Sequence, residues 1–197
     1  NSPFTADGLF KDGQRPSLTT VPRHESARRM YVERSKDAFP DRPFQGHAIV
    51  YWEHSTVVSE VQIEALEAAG YTVLRRGKRA EDFTALDTEN MTKDHLKYLA
   101  DQVEWAKQTH HHDGRVDPSG RLLITVNGED LILDGAVSAD GDGDRPVLVD
   151  EKGKFWRGDV TTAVAAETLG AEAFVQSLTG NEDARVYLKG RGVEFID

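Results

Sequence analysis

An α/β fold of mixed α+β type, with a mixed sheet flanked by helices, is what the sequence predicts, and three observations predict it. Apolar runs of strand length alternate with segments that are apolar at helical spacing. Asn127-Gly128 stands between two such runs, a strong short-range hairpin signal. One strand–helix–strand succession has the length that a parallel crossover needs. At 197 residues, 38% hydrophobic and 29% charged, the chain is long enough for one good core with a smaller subdomain attached, and too apolar for a disordered chain.

Residues 1–23 are punctuated by Pro3, Gly8, Gly13, Pro16 and Pro22 and predict an irregular arm. Residues 24–38 predict a short basic helix, stopped by Pro40 and Pro43. His47 to Trp52 is a compact apolar strand. Val57, Val61, Ile63, Leu66 and Ala69 then recur at helical spacing, with Ser55 as the expected cap and Gly70 as the stop. Tyr71–Leu74 is a second strand. Residues 92–109 form a helix whose apolar stripe is Leu96, Leu99, Ala100, Val103 and Ala106. Leu122–Val126 and Leu131–Leu133 are the arms of the hairpin, the second ending at Asp134. A polar loop, SADGDGDR, precedes a strand at Pro146–Asp150. Residues 158–178 predict a helix, and 184–188 and 193–196 one or two closing strands. The expected division is an arm with a short helix over 1–45, a strand–helix–strand subdomain over 46–88 and a core over 89–197.

Composition narrows the function. No stretch reaches the run of about 20 apolar residues that a membrane helix needs, and NSPFTADGLF has no basic region followed by an apolar one. The expectation is a soluble protein, and the start at Asn1 fits a piece of a longer polypeptide. Without cysteine there are no disulfides, thiolate zinc sites or cysteine nucleophiles. The net charge of −10 argues against holding nucleic acid by bulk electrostatics. Most of it lies in residues 88–197, with 12 Lys and Arg against 21 Asp and Glu, whereas residues 1–87 hold 12 against 13.

Two strand ends carry chemistry. Asp134 closes Leu-Ile-Leu-Asp-Gly, and Asp150-Glu151-Lys152 closes Val-Leu-Val-Asp-Glu-Lys-Gly-Lys. Strand alternation puts residues 150 and 152 on one face. Carboxylates on adjacent strands can converge on one hard cation, which polarises a phosphoryl oxygen and activates water. In these residues, and in the element order over about 90–197, the chain resembles the PD-(D/E)XK nuclease superfamily. It is most similar there to the restriction-endonuclease-like domains of polymorphic bacterial toxins. Two features depart from that pattern: no proline precedes Asp134, and the second acid is Asp rather than the commoner Glu.

The resemblance implies a metal-dependent phosphodiesterase that cleaves DNA or RNA, the toxic module of a secreted effector. Asp134 and Asp150 would hold Mg²⁺ or Mn²⁺, Lys152 would be the catalytic lysine, and Glu104, with Gln102 as an alternative, would be the helix-borne acid. Arg75, Arg76, Lys78 and Arg79 would contact nucleic-acid phosphates, and a cognate immunity protein would be a further partner. The protein would act in the cytoplasm or be delivered by a bacterial secretion system. The rival reading is a non-catalytic acidic interaction protein, an immunity or inhibitor protein that binds a basic partner.

Other signals carry less. Asp140, Asp142, Asp144 and Glu151 match positions of a calcium loop, but Arg145 stands where its sharp turn requires Gly and strands flank the segment, so a flexible acidic hairpin loop is expected. His110, His111, His112 and Asp113 read as a polar helix end. Trp52-Glu53-His54 ends a strand, where packing accounts for the tryptophan as well as a ligand would. No Gly-x-Ser-x-Gly elbow is present.

Overall fold

The computed structural model describes residues 5–6, 11–13, 24–77, 84, 86–110, 113–176 and 180–196. Most of the expected arm, Lys78, Arg79, His111 and His112 lie outside them. The elements are α1 (Glu25–Ala38), β1 (His47–Trp52), α2 (Ser59–Ala69), β2 (Thr72–Arg76), α3 (Lys93–Thr109), β3 (Leu123–Val126), β4 (Glu129–Ala139), β5 (Pro146–Asp150), β6 (Phe155–Trp156), α4 (Gly158–Thr168), β7 (Ala173–Val175), α5 (Glu182–Lys189) and β8 (Glu194–Ile196). The fold is mixed α/β, with parallel and antiparallel strands in one sheet.

That sheet has the order β2-β1-β4-β5-β6. β1 is parallel to both neighbours, β2 and β4. The other edge of β4 is shared: β3 pairs antiparallel with its first four residues and β5 with its last five. β1 is central, and Ala48, Ile49, Val50, Tyr51 and Trp52 are all buried, which is why it reads as a continuous apolar run. Ala48, Val50 and Trp52 face a core shared with Leu99, Val103 and Ala106 of α3 and with Leu133, Ala136, Val147 and Val149. Tyr51 faces the other way, toward α2, where its hydroxyl donates to Gln62 at 2.7 Å. A smaller core (Ala163, Ala166, Ala184, Leu188 and Val193, with Phe174 and Phe195) joins α4 and α5 to the parallel pair β7–β8.

Local signals explain most boundaries. Thr92 caps α3 by accepting the His95 N–H. Asn127 and Gly128, at φ 51° and 86°, make the hairpin turn between β3 and β4. Gly70, at φ 113°, closes α2. Ser55 does not cap α2; Val58 occupies that position, and the Ser55 hydroxyl exchanges hydrogen bonds with the Thr84 backbone.

Two expectations are corrected. The helix expected over 158–178 ends at Thr168, is closed by Leu169 and Gly170, and gives way to β7. Residues 184–188 are helix, not strand. Asn181 caps α5 by accepting the Asp183 N–H, and Ala184 and Leu188, one helical turn apart, face the small core. Packing of that face overrode the strand preference of Val186 and Tyr187.

Candidate functional site

The strand expected to end at Asp134 continues to Ala139. Gly135, at φ 134°, lies in a register irregularity against β1, and its Cα presses on the β5 backbone so closely that a Cβ would stand 2.0 Å from the Val149 carbonyl oxygen. Asp134 is therefore a mid-strand residue. Its Oδ2 accepts from His47 Nδ1 at 2.8 Å and from the Tyr71 hydroxyl at 2.9 Å, and Phe44 stacks on Tyr71 with ring centroids 4.4 Å apart. Burial pushes the Tyr71 phenol up, and the Asp134 charge adds to this, so Tyr71 stays a donor. The group ties together the starts of β1 and β2 and the middle of β4.

Asp150 lies opposite Gly135 in the β4–β5 register, next to Asp134 along the backbone, but its carboxylate serves other donors. Oδ1 accepts the Lys152 and Lys154 N–H groups, and Oδ2 accepts Trp156 Nε1. Burial opposes ionisation of Asp150, yet those three donors outweigh it and hold the carboxyl below its usual range. The strand ends at Asp150 and a turn follows, so alternation does not carry to Lys152. That side chain is 82% exposed, with its amine 3.7 Å from Glu151. Asp150→Ala is expected to cost about 1–2 kcal/mol through three lost acceptor bonds, and Lys152→Ala to leave a thermal melt unchanged. Equal losses would contradict this account of the turn.

The remaining candidates are dispersed. Glu104 pairs with Lys107 one turn along α3, and Gln102 is fully buried, its amide donating to the Tyr98 carbonyl. Arg75 is held by Glu53 and Glu60, and Arg76 donates to the Asp101 carbonyl and lies over Trp105.

The true end of β4 is Ala139, and Asp140 follows. Among the described residues, Asp140, Asp142 and Asp144 can bring carboxylate oxygens within 4.8 Å of one another. Hydrogen bonds and packing tie the loop to its surroundings. Asp140 is 5% exposed, and its Oδ1 accepts the Gly143 and Arg145 N–H groups. The Val57 N–H donates to the Gly141 carbonyl, and His54 Nε2 lies 2.6 Å from the Ala139 carbonyl oxygen. Gly143, at φ 85°, packs on Val58, whose methyls would lie 2.4 Å from a Cβ there. Local desolvation raises the Asp144 carboxyl, and the Asp142 and Asp140 charges raise it further. Arg145 faces this cluster: its Nε is 3.3 Å from Asp140 and 3.5 Å from Asp144, and its guanidinium also reaches Asp87 and Glu89.

The donor set is all oxygen and suits a hard divalent cation, which carboxylates hold with water and phosphate completing its shell. Glycines at 141 and 143 separate the three carboxylates, and the backbone ties fix the loop that presents them. The position also fits. β1 and β4 are parallel, and ligands of open α/β sheets bind beyond the carboxyl ends of their strands. Asp144 and Arg145 border a cleft of about 530 Å³, whose far wall includes Arg157, Asp159 and Thr162 at the start of α4. Sequence reading missed this site because it tested the three aspartates only against a calcium-loop template. The alternation Asp-Gly-Asp-Gly-Asp-Arg just after an apolar strand was the available signal.

No protein-family model matches the chain. It is similar to a phosphomannomutase of Sinorhizobium fredii, at 30% identity over 166 residues, 84% of this chain and 29% of that protein. It is likewise similar to a phosphomannomutase of Salmonella muenchen, at 27% over 158 residues, 80% of this chain and 28% of that protein. A phosphoglucosamine mutase of Thermus thermophilus is 38% identical over 66 residues, 34% of this chain and 15% of that protein. The chain thus spans under a third of the length of these relatives. These similarities overturn the resemblance to PD-(D/E)XK nucleases and toxin domains, and the hydrolase reading with it. The expected nucleic-acid substrate and immunity protein rest on that resemblance and fall with it. The similarity to phosphomannomutases also overturns the rival reading of an acidic interaction protein; part of the acidity it invoked is the Asp140–Asp144 loop. No helix among the described residues is long and apolar enough to cross a membrane.

Proposed function

We propose that this chain is a phosphohexomutase-like domain that contributes a divalent-cation loop to the handling of a sugar phosphate. The observation that carries the proposal is the Asp140, Asp142, Asp144 cluster at the carboxyl end of β4 in a chain similar to two phosphomannomutases over 84% and 80% of its length. A mutase moves a phosphoryl group between oxygens of one sugar, and a bound Mg²⁺ or Mn²⁺ offsets phosphoryl charge and polarises a phosphoryl oxygen. The residues of this chain bind and orient. Asp140 is fixed by backbone donors, Asp142 and Asp144 are more exposed and supply the outer ligands, and Arg145 contacts Asp140 and Asp144 and borders the cleft. The cleft is the expected place for the sugar phosphate.

The test is an electron paramagnetic resonance titration with Mn²⁺. One Mn²⁺ per chain is expected, with a spectrum that changes when mannose 1-phosphate or mannose 6-phosphate is added. Binding of Mn²⁺ that Asp142→Asn leaves unaltered would refute the loop as the site. A Mn²⁺ spectrum indifferent to both sugar phosphates would refute the cleft as their place.

A further inference from the structure

We propose that His54 is a positioning residue for the cation loop, fixing Asp140 through the carbonyl of the residue before it. This rests on the reading of Asp140, Asp142 and Asp144 as a cation site, and it concerns what sets the geometry of that site. His54 follows β1 and is 2% exposed. Its ring packs on Trp52, with centroids 4.6 Å apart, and Trp52 belongs to the main core. Nε2 lies 2.6 Å from the Ala139 oxygen. A carbonyl can only accept, so Nε2 carries the hydrogen and, in the neutral ring, Nδ1 is bare. Burial lowers the His54 pKa, which favours that neutral form.

The contact is one of three that bracket Asp140. The Ser138 hydroxyl donates to the Trp52 carbonyl at 2.8 Å, His54 donates to Ala139, and the Val57 N–H donates to the Gly141 carbonyl at 3.1 Å. Residue 138 is thereby fixed to the last residue of β1, and residues 139 and 141 to the segment between β1 and α2. The His54 imidazole reaches the backbone beside Asp140 with a side chain, whereas the Val57 tie runs from backbone to backbone. As a packing residue His54 is a poor choice: among the described residues Nδ1 is buried with no partner, as is Thr56 Oγ1 two residues on, and an unpaired buried polar atom costs free energy that a leucine or phenylalanine would not incur. A group that orients a metal ligand from behind explains why the polar ring is there. Outer-shell groups of this kind commonly change metal affinity 10–100-fold when removed.

Calorimetric titrations of Mg²⁺ and Ca²⁺ into the parent chain, His54→Leu and His54→Gln test this, with cation-free thermal melts alongside. His54→Leu keeps apolar bulk and loses the donor. His54→Gln keeps an amide N–H that reaches the Nε2 position. His54→Leu is expected to weaken Mg²⁺ about 10–100-fold and Ca²⁺ much less, because Mg²⁺ demands near-ideal geometry and Ca²⁺ tolerates a looser set. His54→Gln is expected to restore most of the Mg²⁺ affinity. Should His54→Leu fail to fold, His54→Asn carries the same expectation, since its amide ends short of Ala139. Parent-like Mg²⁺ affinity in the donor-less variant would overturn the proposal. So would losses in which Gln fares as badly as Leu and the Mg²⁺ to Ca²⁺ ratio stays constant, the mark of a purely structural role. A parent chain that binds neither cation would instead sink the cation reading itself, and the role of His54 with it.

Discussion

Gly135→Ala is expected to destabilise the chain by about 4 kcal/mol or more, a large share of the roughly 5–15 kcal/mol by which folded domains are stable. Two causes act together. The backbone at φ 134° is one that L side chains rarely adopt, and the added methyl would meet backbone on β5: the Val149 oxygen at 2.0 Å and the Asp150 carbonyl carbon and Cα at 2.9 and 3.0 Å. A flexible side chain could turn away, but a paired strand cannot without breaking its ladder. Gly120→Ala is the control. Gly120 has a positive φ of 82° but nothing within 4 Å of a Cβ, so only the conformational term of about 1 kcal/mol applies. Denaturant unfolding of the two variants separates the effects, and similar midpoints would show that β4 and β5 are less closely apposed at Gly135.

Asp142→Asn and Asp144→Asn are each expected to weaken Mg²⁺ or Mn²⁺ binding by about 100-fold or more, above the range of outer-shell changes. Without a cation the Asp144 substitution should act in the opposite sense on stability. Its carboxyl is raised by local desolvation and by Asp142 and Asp140, so the folded chain holds that proton more tightly than the unfolded chain. That contribution to stability is present at low pH and lost as pH rises through the raised value. Above it the three carboxylates repel. Asp144→Asn should therefore melt higher than the parent at pH 7 without metal, with the difference vanishing below about pH 4. Saturating Mg²⁺ should reverse the order, because binding to the folded state stabilises only the parent strongly. A parent that melts above Asp144→Asn in chelator at pH 7 would show that Arg145 already satisfies the cluster.

What the sequence made legible was local. β1 is buried on both faces, so its apolar run needed no partner to be recognised. Thr92, Asn127-Gly128 and Gly70 act within a few residues of themselves, and each was readable. Residues 184–188 differ in kind: Val186 and Tyr187 favour strand, while the cap at Asn181 and the packing of Ala184 and Leu188 make helix. The decisive error concerned β4. Gly135, Ala136, Ser138 and Ala139 have little strand preference, and β1 and β5 hold them in the sheet from either side, which no local pattern shows. Ending that strand at Asp134 put this carboxylate at its tip. The strand ends at Ala139, and the carboxylate at its tip is Asp140. Asp150 was readable as an acid at a strand end, but its partners are turn N–H groups and an indole, which appear only once the chain has turned.

Crystals of the chain grown with Mn²⁺, with diffraction recorded for its anomalous signal, should show whether the loop after β4 holds a divalent cation. A single strong peak is expected within coordination distance of Asp140, Asp142 and Asp144, at the mouth of the cleft bordered by Arg145 and Arg157. A peak between Asp134 and Asp150, or none at the loop in crystals containing Mn²⁺, would contradict it.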